Sequence, residues 1–308
     1  MPRSAEITPA GPKPPWLRIR LETGPGYSLV RGMVRGLGLH TVCQEARCPN
    51  IYECWGDRTA TFMVLGDVCT RRCGFCAVAT GRARPVDTEE PEHVAEAVRH
   101  LELRHAVITM VDRDDLPDGG AGHVAAVIRA VRRRNPGCEV EILTSDFRGV
   151  ERPLEMILPE GPVTFSHNVE TVPRLYPTVR PGSRVERSVG LLKDAIRWRG
   201  TAARPLVKTG LMVGLGEGAD ELHATFARLA DEGVEILTLG QYLRPTLTHL
   251  PVARYYHPDE FAALRDEALR LGFRHVEAGP LVRSSYHARR HTESAVAQSP
   301  LDRAFGSP

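Results

Sequence analysis

With 308 residues, 42% of them hydrophobic, the chain can bury a full core as one large domain or two smaller ones. Forty basic against 38 acidic residues leave a formal charge of +2, which supplies no basic field for sequence-blind nucleic-acid binding, so no nucleic-acid partner is expected. No apolar run approaches the roughly 20 residues of a membrane span, and the first residues lack the apolar stretch of a secretory signal, so a cytoplasmic chain with no membrane partner is expected.

In chain order, "MPRSAEITPAGPKPPW" reads as a loose arm, and the rest of residues 1–57, rich in cysteine and turn residues, as an N-terminal extension. Six apolar, β-branched runs then predict strands: 59–66, 106–111, 139–146, 162–169, 206–214 and 235–243. Between most of them, and after the last, lie helical patterns such as "EPEHVAEAVRHLEL", "GHVAAVIRAVRRR" and "PDEFAALRDEALRLG". Alternating strands and helices demand right-handed crossovers and a parallel sheet, either doubly wound or closed toward a barrel. Residues 58–273 form this α/β unit; residues 274–308 read as a C-terminal extension ending in a mobile tail, "HTESAVAQSPLDRAFGSP".

Seven cysteines in a reducing compartment call for an explanation other than disulfides. Cys138 stands alone and reads as a small buried apolar residue. Cys43, Cys48 and Cys54 are spaced C-x4-C-x5-C, and Cys69, Cys73 and Cys76 C-x3-C-x2-C. Thiolates select zinc, copper(I) or iron–sulfur clusters. Structural zinc sites usually pair C-x2-C knuckles and close with four protein ligands, a spacing neither group has, although a zinc-stapled scaffold stays open as a competing reading. Residues 69–76 follow the first predicted strand and therefore sit at the ligand-binding mouth of the sheet. Three thiolates on a four-iron cube leave one iron open to the amine and carboxylate of an amino acid. S-adenosylmethionine chelated there could accept an electron from the cluster and yield a 5'-deoxyadenosyl radical.

The chain resembles the lipoyl synthase family of radical SAM enzymes from about Pro14 to Arg289. The resemblance is carried by "GLHTVCQEARCPNIYECW", "TATFMVLGDVCTRRCGFCAVATGRARP", "VDRDDLPDGGAGH", "HNVETVPRLYPTVRPG", "GLMVGLGE", "TLGQYLRPTLTHLPV" and "GPLVRSSYHA". It implies a partial (β/α)6 barrel of the radical SAM type with N-terminal and C-terminal extensions. Cys69, Cys73 and Cys76 would hold the 4Fe–4S cluster that binds S-adenosylmethionine, with Phe75 near the adenine. Cys43, Cys48 and Cys54 would hold an auxiliary 4Fe–4S cluster, its fourth ligand Ser285, with Ser284 beside it. The implied reaction inserts two sulfur atoms from the auxiliary cluster at C6 and C8 of an octanoyl chain on a carrier lysine. The carriers implied are 2-oxoacid dehydrogenase E2 subunits and the glycine cleavage H protein. A ferredoxin or flavodoxin type donor would bring electrons, and an iron–sulfur carrier protein would rebuild the auxiliary cluster. Another radical sulfur-inserting enzyme, a methylthiotransferase, is the alternative; neutral charge and the lack of an appended RNA-binding barrel speak against it.

Other residues are read on their own chemistry. Glu217 in "GLGEG" is a candidate for gripping the methionyl amine. His167, Asn168 and Glu170 near a strand end could meet S-adenosylmethionine or substrate, or simply be a hydrogen-bonded strand terminus. Arg283, beside Ser285, could hold the serine or steer substrate, and Tyr286 and His287 could support it. Tyr52 departs from the family pattern, which has a small residue there, and its bulk could alter the shape of the auxiliary loop; Met110, Ser145 and Thr209 are milder departures.

Overall fold

A computed structural model describes residues 11–19, 23–56, 60–150 and 152–298. The strands in chain order are β1 (His40–Thr41), β2 (Thr61–Val64), β3 (Val68–Cys69), β4 (Ala79–Thr80), β5 (His105–Met110), β6 (Glu139–Leu143), β7 (Thr164–Ser166), β8 (Leu206–Val213), β9 (Ile236–Gln241) and β10 (His275–Gly279). The main sheet runs β1-β2-β5-β6-β7-β8-β9-β10; β1 is antiparallel to β2 and every other pair is parallel. It is an open, partial barrel with all six predicted strands in place, plus β1 and β10 at its edges. Strand β10 was not expected: the segment from residue 274, read as an extension, first adds a strand beside β9.

Helices α1 (Pro25–Gly36), α2 (Val42–Glu45) and α3 (Ile51–Gly56) precede β2, where the sequence suggested only turns. Helices α4 (Glu90–His100), α5 (Ala121–Arg134), α6 (Pro153–Ile157), α7 (Tyr176–Val179), α8 (Val185–Arg199), α9 (Ala219–Asp231) and α10 (Pro258–Leu271) follow the strands, and α11 (Ala288–Ala297) ends the described chain. The period-2 alternation of the strands divides two environments. One face carries Phe62, Ile108, Ile142, Phe165, Leu237 and Leu239, all essentially fully buried. Burying each such side chain contributes about 1.5–3 kcal/mol. The other face is mixed and carries the buried polar groups: Thr61, His105, Glu141, Thr164, Lys208, His275 and Glu277 share the alternate positions with Val107, Leu206 and Ile236.

Helix α11 covers the starting end of this mixed face. Thr292 bonds Thr164 of β7 at 3.1 Å, and Ala295 packs on Leu206 of β8 and Ile236 of β9. His291, Thr292 and Ala295 are buried, which corrects the expectation of a mobile tail for residues 291–298; residues 299–308 lie outside the described residues. The opening arm is corrected in part as well: Pro15–Leu17 form a short 3-10 turn, Leu17 is buried, and the Trp16 indole N–H donates to the Tyr256 carbonyl at 3.2 Å. Among the described residues no helix is long and apolar enough to cross a membrane.

Candidate active site

The loop from Cys69 to Cys76 starts in the short strand β3, which follows β2 beyond the ending edge of the main sheet, and is pinned from three sides. The Gly74 N–H donates to the Val179 carbonyl, its carbonyl accepts from the Leu250 N–H, and His249 Nε2 meets the Cys76 carbonyl at 2.9 Å. Gly74 has no room for a side chain, since a Cβ would lie 2.8 Å from Leu250 Cδ1 and 3.1 Å from the Thr178 carbonyl. The buried Arg71 anchors the loop's base with a bidentate pair to Asp114 at 2.8 and 2.7 Å and ion pairs to Asp112 at 3.1 Å and Asp146 at 2.6 Å. Those aspartates follow β5 and β6, so one guanidinium locks three strand ends together.

The three thiols are largely shielded from solvent and lie within electrostatic reach of one another, Cys73 of Cys76 and Cys76 of Cys69. Burial, followed by the Asp112 carboxylate, pushes Cys69 up to about 12. Burial pushes Cys73 to about 12 against the opposing pull of Arg180, and Cys76 to about 11. The protein alone therefore keeps the trio protonated, and a bound cation must offset the cost of ionising it, as expected of a soft-metal site. Phe75 is partly buried against the core between these cysteines.

Across from the loop, the end of β7 supplies polar atoms with unfilled bonding capacity. Asn168 Nδ2 donates to Glu170 Oε1 at 3.1 Å, whereas Asn168 Oδ1 is buried without a partner. Glu170 has a left-handed backbone, φ 66°, and burial pushes its carboxyl up. Gly210 leaves space for this pair: a Cβ there would stand 2.8 Å from Asn168 Oδ1. Arg180, 6% exposed, donates to the Asn168 carbonyl at 2.8 Å and stands within electrostatic reach of Cys73, Glu170 and Asp112. The sequence reading assigned no role to Arg71, Asp112, Asp146, Arg180 or His249. The motifs "VDRDDL" and "TVRPG" contain two of them, Asp112 and Arg180, but the partners that give them a role are distant in sequence.

Two expectations for this region change. Glu217 accepts from the N–H groups of Gly214 at 2.6 Å and Leu215 at 2.9 Å and from the Tyr256 hydroxyl at 2.9 Å, so its carboxylate braces its own loop against Tyr256, the turn-forming role that competes with gripping a methionyl amine. His167 is the hydrogen-bonded strand terminus: its ring bonds the Thr144 carbonyl at 2.8 Å and Ser188 Oγ at 2.9 Å, and burial lowers it to about 4.

The second cysteine group lines a separate cavity of about 110 Å³ together with Asn50, Thr61, Arg283, Ser284, Ser285 and Tyr286. Cys43, Cys48, Cys54 and Ser285 therefore meet around one space although up to 242 positions separate them. Three contacts join the two segments: Asn50 Nδ2 donates to the Leu281 carbonyl at 2.8 Å, the Thr61 hydroxyl to Ser285 Oγ at 2.8 Å, and the Tyr286 hydroxyl to Glu53 at 2.9 Å. Burial, reinforced by Cys48, pushes Cys43 up to about 11, and burial also raises Cys48. Arg283 stands within electrostatic reach of both Cys48 and Glu170, between the two cysteine groups. Gly240 permits this approach, because a Cβ there would come within 2.2 Å of the Val282 carbonyl and 3.1 Å of Arg283 Nη1. Tyr52 stacks on Tyr27 of α1 at 5.5 Å and does not line the cavity; Ser145 and Thr209 make local backbone bonds, the first accepting from Phe147 N–H, the second donating to the His167 carbonyl. Cys138 is 7% exposed in the core, as expected.

A parallel α/β sheet with a three-thiol loop after its first parallel strand defines a radical SAM enzyme, and residues 63–229 match the model of the radical SAM superfamily. The fold is shared with methylornithine synthase (TM-score 0.52, 14% identity, 82% of this chain and 81% of that one). It is shared also with Streptococcus suis SuiB bound to precursor peptide SuiA (TM-score 0.55, 11% identity, 75% of this chain), although the chain spans only 52% of SuiB. Residues 9–48 match the N-terminal domain of lipoyl synthase of the radical SAM family. The chain is 57% identical to the lipoyl synthase of Rubrobacter xylanophilus over 92% of its length and 87% of that protein, and 51% identical to that of Koribacter versatilis over 94% of each. It belongs to the lipoyl synthase family.

Proposed function

We propose that this chain performs the family's reaction with the residues described above: insertion of two sulfur atoms at C6 and C8 of an octanoyl chain bound to a lysine of a lipoyl carrier protein. The family employs S-adenosylmethionine and two 4Fe–4S clusters, and both cysteine trios suit such groups, being soft, partly or fully buried thiols whose ionisation a bound cation would offset. When bound, these groups supply a radical able to take hydrogen from an unactivated carbon and the sulfide that replaces it.

In this reading Cys69, Cys73 and Cys76 hold the cluster that engages S-adenosylmethionine, and Phe75 packs near its adenine. Asn168 and Glu170, which retain free acceptor capacity, bind the methionyl amine, and Arg180 offers a fixed positive charge to its carboxylate. Cys43, Cys48, Cys54 and Ser285 hold the auxiliary cluster, enclosed by the segment 42–54 of the N-terminal extension and the segment 283–286 of the C-terminal one. Arg283 positions the reacting chain between the two groups. The carriers are the 2-oxoacid dehydrogenase E2 subunits and the glycine cleavage H protein; a ferredoxin or flavodoxin type protein donates electrons, and an iron–sulfur carrier restores the auxiliary cluster.

The observation that supports this most directly is the cavity that gathers Cys43, Cys48, Cys54 and Ser285. The test is anaerobic reconstitution to on the order of eight irons per chain, then mass spectrometry of an octanoyl-lysyl peptide incubated with S-adenosylmethionine and reductant. The expected product carries two added sulfurs; a product with one methylthio group, or cleavage of S-adenosylmethionine with no sulfur transferred, overturns the reading.

A further inference from the structure

The mixed face of the sheet holds a third group of metal-ligating side chains, free of cysteine. His275 and Glu277 alternate on β10 and point the same way, and α11 lays His291 over them. Their ligand atoms all lie within 4.8 Å of one another. Glu277 Oε2 is 3.5 Å from His275 Nε2 and 3.7 Å from His291 Nε2. These separations are too long for good hydrogen bonds but close to the edge of a tetrahedron whose ligands stand roughly 2.0–2.1 Å from a central ion, about 3.4 Å.

The bonding state of these groups points the same way. His291 is fully buried, and neither ring nitrogen has a hydrogen-bond partner; His275 Nε2 is buried and unpartnered too. Buried imidazole nitrogens are rarely left so, and a shared ion accounts for two of them at once. The charges agree. Lys208 is spent on Glu141 at 2.7 Å, and Glu277, bordered by His275 and within electrostatic reach of His287 and Arg290, has its carboxyl held below the usual range, so it stands ready as an anionic ligand. Two imidazoles and one carboxylate suit a borderline divalent ion such as zinc or ferrous iron, and the partial exposure of Glu277 (31%) and His275 (17%) leaves a route for exchange and a place for water.

We propose that His275, Glu277 and His291 form a divalent transition-metal site that staples α11 to β10. Its place in the chain gives it a task. Strand β10 leads into the loop that carries Arg283 and Ser285, and α11 follows directly, so the ion closes the base of that loop. Closing a loop whose ends otherwise separate stabilises the folded arrangement and limits how far Ser285 can move.

Zinc is the probe, and the clusters must be loaded first so that neither cysteine trio is free to take it. Cluster-loaded protein of known iron and sulfide content is equilibrated anaerobically with zinc chloride. Retained zinc is then counted by mass spectrometry and examined by K-edge absorption. The expected result is one zinc per chain with a nitrogen and oxygen shell, unchanged iron, and a higher thermal midpoint. Glu277→Gln and His291→Ala, each with iron intact, should weaken zinc at least tenfold and lose the thermal gain. If His291→Ala does not fold, Glu277→Gln, on a partly exposed side chain, carries the test. No retained zinc, equal zinc affinity in the folded variants, or sulfur in the shell overturns the proposal.

Discussion

At the scale of single residues, two positions separate the requirements of the two cysteine groups. Gly74 is enclosed by Leu250 and Thr178, and a methyl group there overlaps both. The Leu250 side chain can yield, whereas the Thr178 carbonyl belongs to the backbone that also accepts the Gly74 N–H through Val179. Overpacking of this kind costs about 1–3 kcal/mol. Gly74→Ala should therefore lower formation of 5'-deoxyadenosine by roughly tenfold or more, since each 1.36 kcal/mol is a factor of ten, while thermal melting shows a folded chain; unaltered formation would mean the loop tolerates displacement. Ser285 tests the other group. Its oxygen is a hard ligand, weakly matched to iron among sulfides, and it already accepts a hydrogen bond from Thr61. Ser285→Cys should give an auxiliary cluster that persists in Mössbauer spectra and lipoyl product formed roughly ten times more slowly or worse. Product at the normal rate would show that release of that corner plays no part.

At the scale of elements, the alternation within strands decides what the sequence could and could not disclose. Strands β2, β5, β6, β7, β8 and β9 were legible because their outward residues, such as Ile108, Ile142 and Phe165, form apolar runs against the helices. Strand β10 was not, because "HVEAG" places His275 and Glu277 toward a mixed interior and reads as loop. The same interior accepts Thr292 and His291 of α11, so a helix with few apolar residues is nevertheless buried. The cysteine trios were readable because their spacing is local, whereas Arg71 and Arg180 owe their roles to partners tens of residues away. The ion pair between Lys208 of β8 and Glu141 of β6 lies fully inside this interior. Removing one partner strands a buried charge, so Lys208→Met should cost about 3–5 kcal/mol in denaturant unfolding, and Glu141→Leu added to it should restore most of that loss. A double variant no more stable than the single one would mean that the pair does more than balance charge.

At the scale of the whole molecule, the two thiol groups tie stability to pH in a way that metal loading reverses. In the metal-free chain Cys43 and Cys76 titrate at about 11 and Cys69 and Cys73 at about 12, all above the usual 9.0. Above pH 9 the unfolded chain has released these protons and the folded chain still holds them, so the folded state binds more protons and loses stability as pH rises. The contribution is fully present below 9 and disappears as pH passes through 11 to 12. Tyr176, Tyr242, Tyr256 and Tyr286 are raised by burial too and act in the same direction, so one curve cannot isolate the thiols. A chain with Cys69, Cys73 and Cys76 all changed to Ala keeps the tyrosines and removes three of the thiols. Between pH 8 and 11 the thermal midpoint of the metal-free wild type should fall more steeply than that of the triple variant. With metal on the thiolates the folded chain has already given up its protons, so the unfolded state binds more of them, and cluster loading should stabilise the wild type increasingly as pH rises toward 9. Parallel curves for the two metal-free chains would show that the thiols do not resist ionisation, and with that the argument that a cation offsets their charge would fail.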